Sequence, residues 1–438
     1  MLTGTFGKLR KFSALVVGDF MLDQYTSGLI HRISPEAPVS VLHVKNEEFR
    51  PGGAGNVALG LKALGADVTV LGRVGRDRSG LLLENALQKK GVFTEHLVKD
   101  ASYLTPVKNR FIAGEQQILR VDKEEKEDLS PDREKNLLQR VEDTFPSISI
   151  IVVSDYNKGF LTKSFLQKII QKAKKYHIPV LCDPKGTDFS KYSGSYLIKP
   201  NLNEAWIASG TDSPENLEAI GNILLEKVDL SYLIVTKSDK GMSLFQKKSP
   251  SRNFPVNPRK VLDVTGAGDT VLATLSLAVA SELEITQAAE LANAAAGIAI
   301  EELGCAAITL NDLARRLLSM DTDNKVFDET DLYALKKALE HREFSILVID
   351  TTRGITPSLC KRIRNIKKEQ QELLLYIRDD APDKDFIHIL SSLSEVSFII
   401  VKKTSLQHLC SMISPQQVYF AEPLEEKVDW LNALQVPG

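Results

Sequence analysis

Short runs of β-branched and other apolar residues alternate with helix-like segments up to about residue 310 of this 438-residue chain. That alternation restricts the fold more than any other feature. The runs are SALVV (Ser13–Val17), VTVL (Val68–Leu71), ISIIVV (Ile148–Val153), PVLC (Pro179–Cys182), YLI (Tyr196–Ile198) and LIVT (Leu233–Thr236). Strands apolar at consecutive positions have both faces covered. Helical patterns at Asn56–Leu64 and Ser164–Tyr176 supply the cover. The expectation is an α/β fold with a mainly parallel sheet flanked by helices. Right-handed crossovers then bring the carboxyl ends of the strands to one edge, where ligands bind.

Two segments break the rhythm. Ile33–Arg50 and Thr105–Asp122 alternate apolar and polar residues, as half-exposed strands do. They form either a small antiparallel sheet standing off the main one or a pair of ordinary surface hairpins. After Leu310 the chain turns helical and then polar over Asn311–Asp328, which reads as a boundary. Beyond it, Leu332–His341, Ser345–Ile349, Ser358–Gln370, Leu373–Ile377 and Val396–Val401 describe a second, smaller α/β unit. The expected domains are 1–320, with a β lid from about 25–50 and 103–122, and 329–438.

The balance of charge narrows the partners. A net charge of -2 and a pI near 6.4 give no field for nucleic acid or an anionic membrane. The four cysteines are far apart without a CxxC pair, which argues against zinc ribbons and fits free thiols in a reducing cytoplasm. The most apolar stretch, Val271–Ala280, is half the length a membrane helix needs. A cytoplasmic enzyme acting on small molecules is expected.

DVTGAGDT (Asp263–Thr270) opens an apolar helical pattern. Gly266 and Gly268 let the backbone turn tightly, so that successive amides converge on an anion at a positive helix end. Asp269 sits where a phosphate would repel it. Its chemical role would be to take a proton from an attacking hydroxyl while Gly266, Ala267 and Gly268 hold the transferring phosphoryl group. The bland alternative is helix capping by Asp269. A second glycine cluster, GGAGN (Gly52–Asn56), mimics a dinucleotide fingerprint. Yet no acidic residue ends the following strand, where Arg73 stands instead. Close approach of Gly53 and Asn56 to a polyhydroxyl ligand is the better reading, with Asp19 past the first strand bonding its hydroxyls. The absence of GxxxxGK[ST] excludes a P-loop kinase, and no HRD or DFG set of protein kinases is present.

VGDFMLD (Val17–Asp23), RISPEAPV (Arg32–Val39), RPGGAGNVA (Arg50–Ala58), SDYNKG (Ser154–Gly159), DPKGTDF (Asp183–Phe189), PNLNE (Pro200–Glu204), TKSDKGMSL (Thr236–Leu244), DVTGAGDT and NAAAG (Asn293–Gly297) together resemble the ribokinase-like (PfkB) carbohydrate kinases. The likeness covers roughly residues 10–315. RISPEAPV with DPKGTDF is similar to the heptose branch. This branch is the kinase half of bifunctional D-glycero-β-D-manno-heptose-7-phosphate kinase/heptose-1-phosphate adenylyltransferases.

The resemblance implies Asp269 as catalytic base with Gly266–Gly268 as its anion hole. It implies ATP and Mg2+ as cofactors, with a monovalent cation as a further option. Asn201 and Glu204 would stand by the phosphates and magnesium, and Glu204 would be the metal residue. Thr236, Ser238 and Gly241 would line the ATP site, with Asn293 near the adenine. Asp19, Gly53 and Asn56 match sugar contacts. The polar-faced strands would be a lid joining two subunits of a homodimer. For the sugar's remote phosphate, Arg120, Lys158 and Lys185 are preferred over Lys108 and Arg110, because forks and ammoniums suit phosphate oxygens.

The resemblance breaks down in the second unit. Its transferase signature is a TNGxFD turn and an HxGH pair, whereas Ser345–Ile349 here runs into Asp350–Pro357 without a histidine. Residues 329–438 read as a degenerate nucleotidyltransferase-like domain, the alternatives being a divergent active transferase or an unrelated module. The competing functions are a kinase for another sugar or sugar phosphate, a dinucleotide-dependent oxidoreductase, and a regulator with an inactive kinase fold.

Overall fold

The computed structural model of the protein describes residues 2–256, 261–302, 304–305, 307–320, 325–351, 354–369, 372–379, 382–401 and 404–421. Parts of four expectations lie outside the described residues: 321–324 of the boundary, 352–353 of the histidine-free loop, 370 of the Ser358–Gln370 segment, and 422–438 of the second unit. The chain divides into two compact units, Arg10–Thr309 and a smaller one made of Met1–Leu9 with Leu310–Gly438. The sequence-based boundary instead runs the first domain over 1–320.

The larger unit contains strands β1 (Ser13–Ile33), β2 (Ser40–Gly53), β3 (Asp67–Gly75), β4 (Phe93–Asp100), β5 (Val107–Ala113), β6 (Gln116–Lys123), β7 (Ile150–Ser154), β8 (Val180–Asp183), β9 (Leu197–Ile198), β10 (Tyr232–Thr236), β11 (Met242–Gln246) and β12 (Arg252–Phe254). Its main sheet runs β12-β11-β10-β9-β8-β7-β1-β3-β4. The pairings from β10 through β4 are parallel, and β11 and β12 add an antiparallel edge. β7 is buried along its whole length, as its unbroken apolar run requires. One core cluster joins Leu15, Val17, Ile151 and Val153 to Phe165, Ile169 and Ile170 of a covering helix. Each such side chain contributes about 1.5–3 kcal/mol on leaving water.

Counting α1 (Leu2–Phe6) in the smaller unit, the helices of the larger one are α2 (Ala54–Ala63), α3 (Arg78–Lys89), α4 (Pro131–Arg140), α5 (Lys163–Lys175), α6 (Leu202–Ser209), α7 (Leu217–Lys227), α8 (Ala267–Ala280) and α9 (Ile285–Ala299). α5 follows the usual helix chemistry. The Thr162 hydroxyl accepts from Phe165 N–H at its start, and lysines crowd its negative end.

β1 is 21 residues long and leaves the main sheet after Asp19. From Phe20 it pairs antiparallel with β2, from Leu22 parallel with β5, and β5 pairs antiparallel with β6. The lid is therefore a mixed four-stranded layer rather than the antiparallel one expected. One strand carries the chain from the main sheet into it.

The smaller unit has strands β13 (Val326–Phe327), β14 (Phe344–Ile349), β15 (Glu372–Ile377), β16 (Phe398–Val401) and β17 (Gln417–Phe420), in the order β13-β16-β15-β14-β17, all parallel. Helices α10 (Leu310–Met320), α11 (Leu332–Leu339), α12 (Pro357–Glu369), α13 (Lys384–Ser392) and α14 (Leu406–Ile413) complete it. α10 and α1 pack with α11. Among the described residues no helix is long and apolar enough to cross a membrane.

Candidate active site

Polar residues gather where parallel strands end. Asp19 is the last main-sheet residue of β1, and its Oδ2 accepts N–H from Tyr156 (2.8 Å) and Lys158 (3.1 Å). Its Oδ1 is buried and accepts from no protein group. Burial, helped by the neighbouring Asp155 charge, pushes Asp19 up to about 6. Asp155 ends β7 and accepts Tyr192 O–H at 2.6 Å and Asn157 N–H at 2.7 Å, with Lys191 Nζ at 2.5 Å. It braces the loop whose amides hold Asp19.

The glycine turn is built as its sequence demands. Gly266 is the N-cap of α8 at φ 80°, a left-handed backbone. A Cβ there would stand 3.0 Å from Cys305 Sγ and 3.2 Å from Asn56 Nδ2. No side chain caps α8, and Ala267 N–H makes only a long bond to the Val264 carbonyl at 3.4 Å, so the first turn can receive a ligand, and Asp269 lies inside that turn rather than at the cap. The capping role weighed for Asp269 is not what the helix uses.

Asn56 Nδ2 donates to Asp269 Oδ2 at 2.6 Å. The contact follows from helix packing. α2 and α8 lie together, and a Cβ on Gly60 would stand 3.3 Å from Ala273 Cβ. Gly60 is one turn beyond Asn56, and Ala273 one turn beyond Asp269, so close approach there brings the polar pair into register. Gly53 precedes α2 at φ 56°, and a Cβ on it would meet the Asp19 carbonyl oxygen at 2.6 Å. Loss of water pushes Asp269 up to about 7. The Asn56 hydrogen bond draws it down, Asp183 raises it, and Lys199 lowers it.

Beside Asp269 opens a cavity of about 420 Å³. Asn201, Glu204, Thr236, Ser238, Gly241, Asn293 and the turn Gly266–Asp269 all line it, and so does Lys185, which the sequence reading gave to the sugar's remote phosphate. Asn201 and Glu204 form a capping box on α6, with Asn201 Oδ1 accepting Glu204 N–H at 2.9 Å and Glu204 Oε2 accepting Asn201 N–H at 3.0 Å. Glu204 Oε1 also holds Lys185 Nζ at 2.6 Å. Gly241 has φ 77°, and a Cβ on it would lie 2.0 Å from the Phe254 carbonyl oxygen. Asn293 Nδ2 donates to Pro255 O at 2.8 Å, leaving its buried Oδ1 without a protein partner. Val256, Val261, Val264 and Ile300 give the cavity an apolar wall.

Among the described residues no group of three or more His, Cys, Asp or Glu side chains holds a metal ion by itself. A magnesium ion carried in on phosphates needs only one or two carboxylates. Glu204 and the Asn201 amide oxygen, on the walls of the cavity, form a donor set of that kind.

Two anticipated cations lie apart from this cavity's lining. Lys158 Nζ pairs with Glu124 at 2.5 Å. Arg120, on β6, is half exposed and pairs with Asp122 at 2.9 Å. In register opposite Arg120 stands Arg110, whose Nη1 is 2.6 Å from Asp23 Oδ1. Arg110 and Arg50 both lie over the Tyr25 ring, each 5.2 Å from its centroid. The structure adds cavity-lining residues that sequence reasoning did not select: Asp155, Tyr156, Asp183 and Lys199. Their one signal was position, each just at or past the end of a buried run, as for Asp19.

GGAGN does not belong to a βαβ unit, because β2, which ends at Gly53, is antiparallel to β1. The dinucleotide reading fails on that topology.

Residues 11–313 match the model of the pfkB family carbohydrate kinases. The bifunctional protein HldE of Pelobacter propionicus is 37% identical over 417 residues, covering 90% of this chain and 85% of that relative. The protein of the same name from Geobacter sulfurreducens is 44% identical over 306 residues, covering 69% of this chain and 62% of its own length. Among solved structures, Arabidopsis thaliana ribokinase complexed with ribose and ATP superposes with a TM-score of 0.56 at 20% identity, over 70% of this chain and 99% of that one. Escherichia coli phosphofructokinase-2 in complex with potassium gives 0.59 at 19% identity, over 71% and 99%. At those identities the likeness concerns the fold.

Proposed function

The chain belongs to the pfkB family of carbohydrate kinases, and from that premise we propose that it transfers the γ-phosphoryl group of ATP to O1 of D-glycero-β-D-manno-heptose 7-phosphate. The observation that carries this reading is the Asn56–Asp269 contact, which joins the GGAGN helix to the phosphate-binding turn. One side of Asp269 then faces the polar group of Asp19, Gly53 and Asn56, where the sugar is bound. The other faces the 420 Å³ cavity.

ATP binds in that cavity, with its base against the apolar wall near Asn293 and its phosphates toward Asn201, Lys185 and the amides of Gly266, Ala267 and Gly268. Thr236, Ser238 and Gly241 shape the floor. Magnesium brought in on the nucleotide phosphates would be held by Glu204 and would supply charge neutralisation. A monovalent cation is compatible with this chemistry. Asp269 takes the proton of the O1 hydroxyl, and the first-turn amides of α8 receive charge developing on the phosphoryl group.

The remote 7-phosphate is held by cations of the lid and loop edges. Arg110 leads because it points inward to Asp23, with Lys108 on the same strand face. Arg110, Arg120, Lys158 and Lys185 each reach a phosphate only by giving up a carboxylate, Asp23 for Arg110 and Asp122, Glu124 and Glu204 for the other three in turn. The lid's other face carries Leu119 and Val121, both about half exposed. A second copy of the chain covers that face in a homodimer. The smaller unit contributes no adenylyl transfer, because no histidine follows β14 where triphosphate charge would need one.

ADP release measured against a panel of free and phosphorylated heptoses, hexoses and pentoses tests the reading. Turnover confined to the phosphorylated heptose supports it. Equal turnover of another sugar phosphate would replace the substrate while keeping the kinase.

A further inference from the structure

Lys199 is a buried cation to which the reading above gives no task. It follows β9, its side chain is 4% exposed, and its Nζ stands 3.0 Å from Asp183 Oδ2. The same ammonium lies 3.4 Å from the position a Cβ on Gly268 would take, so it is packed against the glycine turn. It also lines the nucleotide-sized cavity. Withdrawing a lysine–aspartate pair from water costs more than an apolar pair of the same volume would. A purely structural duty would be to tie the ends of β8 and β9 together. The backbone already does that, with Lys199 N–H donating to Cys182 O at 2.8 Å.

We propose that Lys199 is a further catalytic residue of phosphoryl transfer, its ammonium meeting the non-bridging oxygens of the transferring group, with Asp183 as the positioning residue that aims it. The proposal rests on the kinase reading. The acceptor oxygen forms its bond to the γ-phosphorus as its proton passes to Asp269. The bond from phosphorus to the β–γ bridging oxygen breaks, and its electron pair leaves with ADP. Lys199 stays protonated throughout and acts by charge alone. It also serves the base, since its charge is among those favouring the ionised form of Asp269.

The test compares the full chain with Lys199→Met and Lys199→Arg, and with the double variant Lys199→Met/Asp183→Asn, which leaves no unpaired buried charge. Three quantities are measured: kcat for ADP release, affinity for ADP, and affinity for a non-hydrolysable ATP analogue. Lys199→Met and the double variant should lose about 100- to 1,000-fold in kcat. ADP binding should stay within about threefold while the preference for the ATP analogue over ADP falls, and Lys199→Arg should recover part of kcat. A double variant with wild-type kcat, or one whose ATP-to-ADP preference is unchanged, would overturn the assignment. So would loss of ADP binding and thermal stability in step with kcat. The binding ratio needs no sugar, so it reads out Lys199 even if wild-type turnover were to reject the heptose.

Discussion

Asn56 Nδ2 lies 2.6 Å from Asp269 Oδ2, although 213 residues separate them along the chain. That hydrogen bond holds the carboxylate's orientation and favours its ionised form. Burial works in the other direction and raises Asp269 to about 7. A base must be deprotonated to act, so kcat/KM should fall as pH drops below about 7, by roughly tenfold per unit on the acid side. Asn56→Leu removes the largest influence lowering that pKa and should move the limb to higher pH. A pH–rate series on both proteins checks it, and an unmoved limb would separate Asn56 from the base.

Gly60 sets that contact from one turn away. Gly60→Val would meet Ala273 where only 3.3 Å separates it from even a first carbon, and so push α2 off α8. Misplacement by an ångström costs on the order of 100-fold in rate. The variant should therefore lose about that much kcat while still binding ADP, as calorimetry and steady-state kinetics would show together.

The lid arginines should differ in effect. Arg110→Ala ought to cut kcat/KM for heptose 7-phosphate by about 10- to 100-fold, the worth of a charged hydrogen bond, and leave free heptose nearly untouched. Arg120→Ala, which removes a half-exposed arginine already paired with Asp122 on its own strand, should change either by less than about threefold. Equal losses for the two would mean that Arg120 leaves Asp122 when substrate binds.

Much of this was legible in the sequence, and the exceptions have physical reasons. Asp269, Gly266 and Asn56 announced themselves because tight turns at a helix start need glycine in a recognisable pattern. Lys199 and Asp183 did not, since one polar residue after a buried strand looks like the start of any loop. The ranking of Arg110 over Arg120 depends on which carboxylate each meets, Asp23 on β1 or Asp122 on β6. No alternation pattern reveals such a cross-strand pairing. Likewise α10 has an apolar face with Leu313, Leu317 and Leu318 buried, but amphipathicity does not say against which core.

The unit boundary has a direct consequence. A protein spanning residues 10–309 should fold, bind ADP and keep kinase turnover, whereas one ending at 323 would strand α1 and α10 without α11, with which they pack. Size-exclusion profiles of the two should show the longer piece aggregating. In the full chain, heptose 1-phosphate with ATP should release no pyrophosphate. Release that survives Asp269→Asn would reveal a working second site.

The most direct test of the account is Asp269→Asn beside the wild type, with heptose 7-phosphate and ATP as substrates. An aspartate whose pKa is raised on folding costs stability above its unfolded value near 3.9, and fully so above about 7. Neutralising it should leave the melting temperature at pH 8 unchanged or higher. The account predicts ADP release down by a factor of 1,000 or more, as removal of a general base together with its orienting charge would give, with ATP affinity intact. Turnover within tenfold of wild type, or a fall in melting temperature matching the fall in rate, would contradict it.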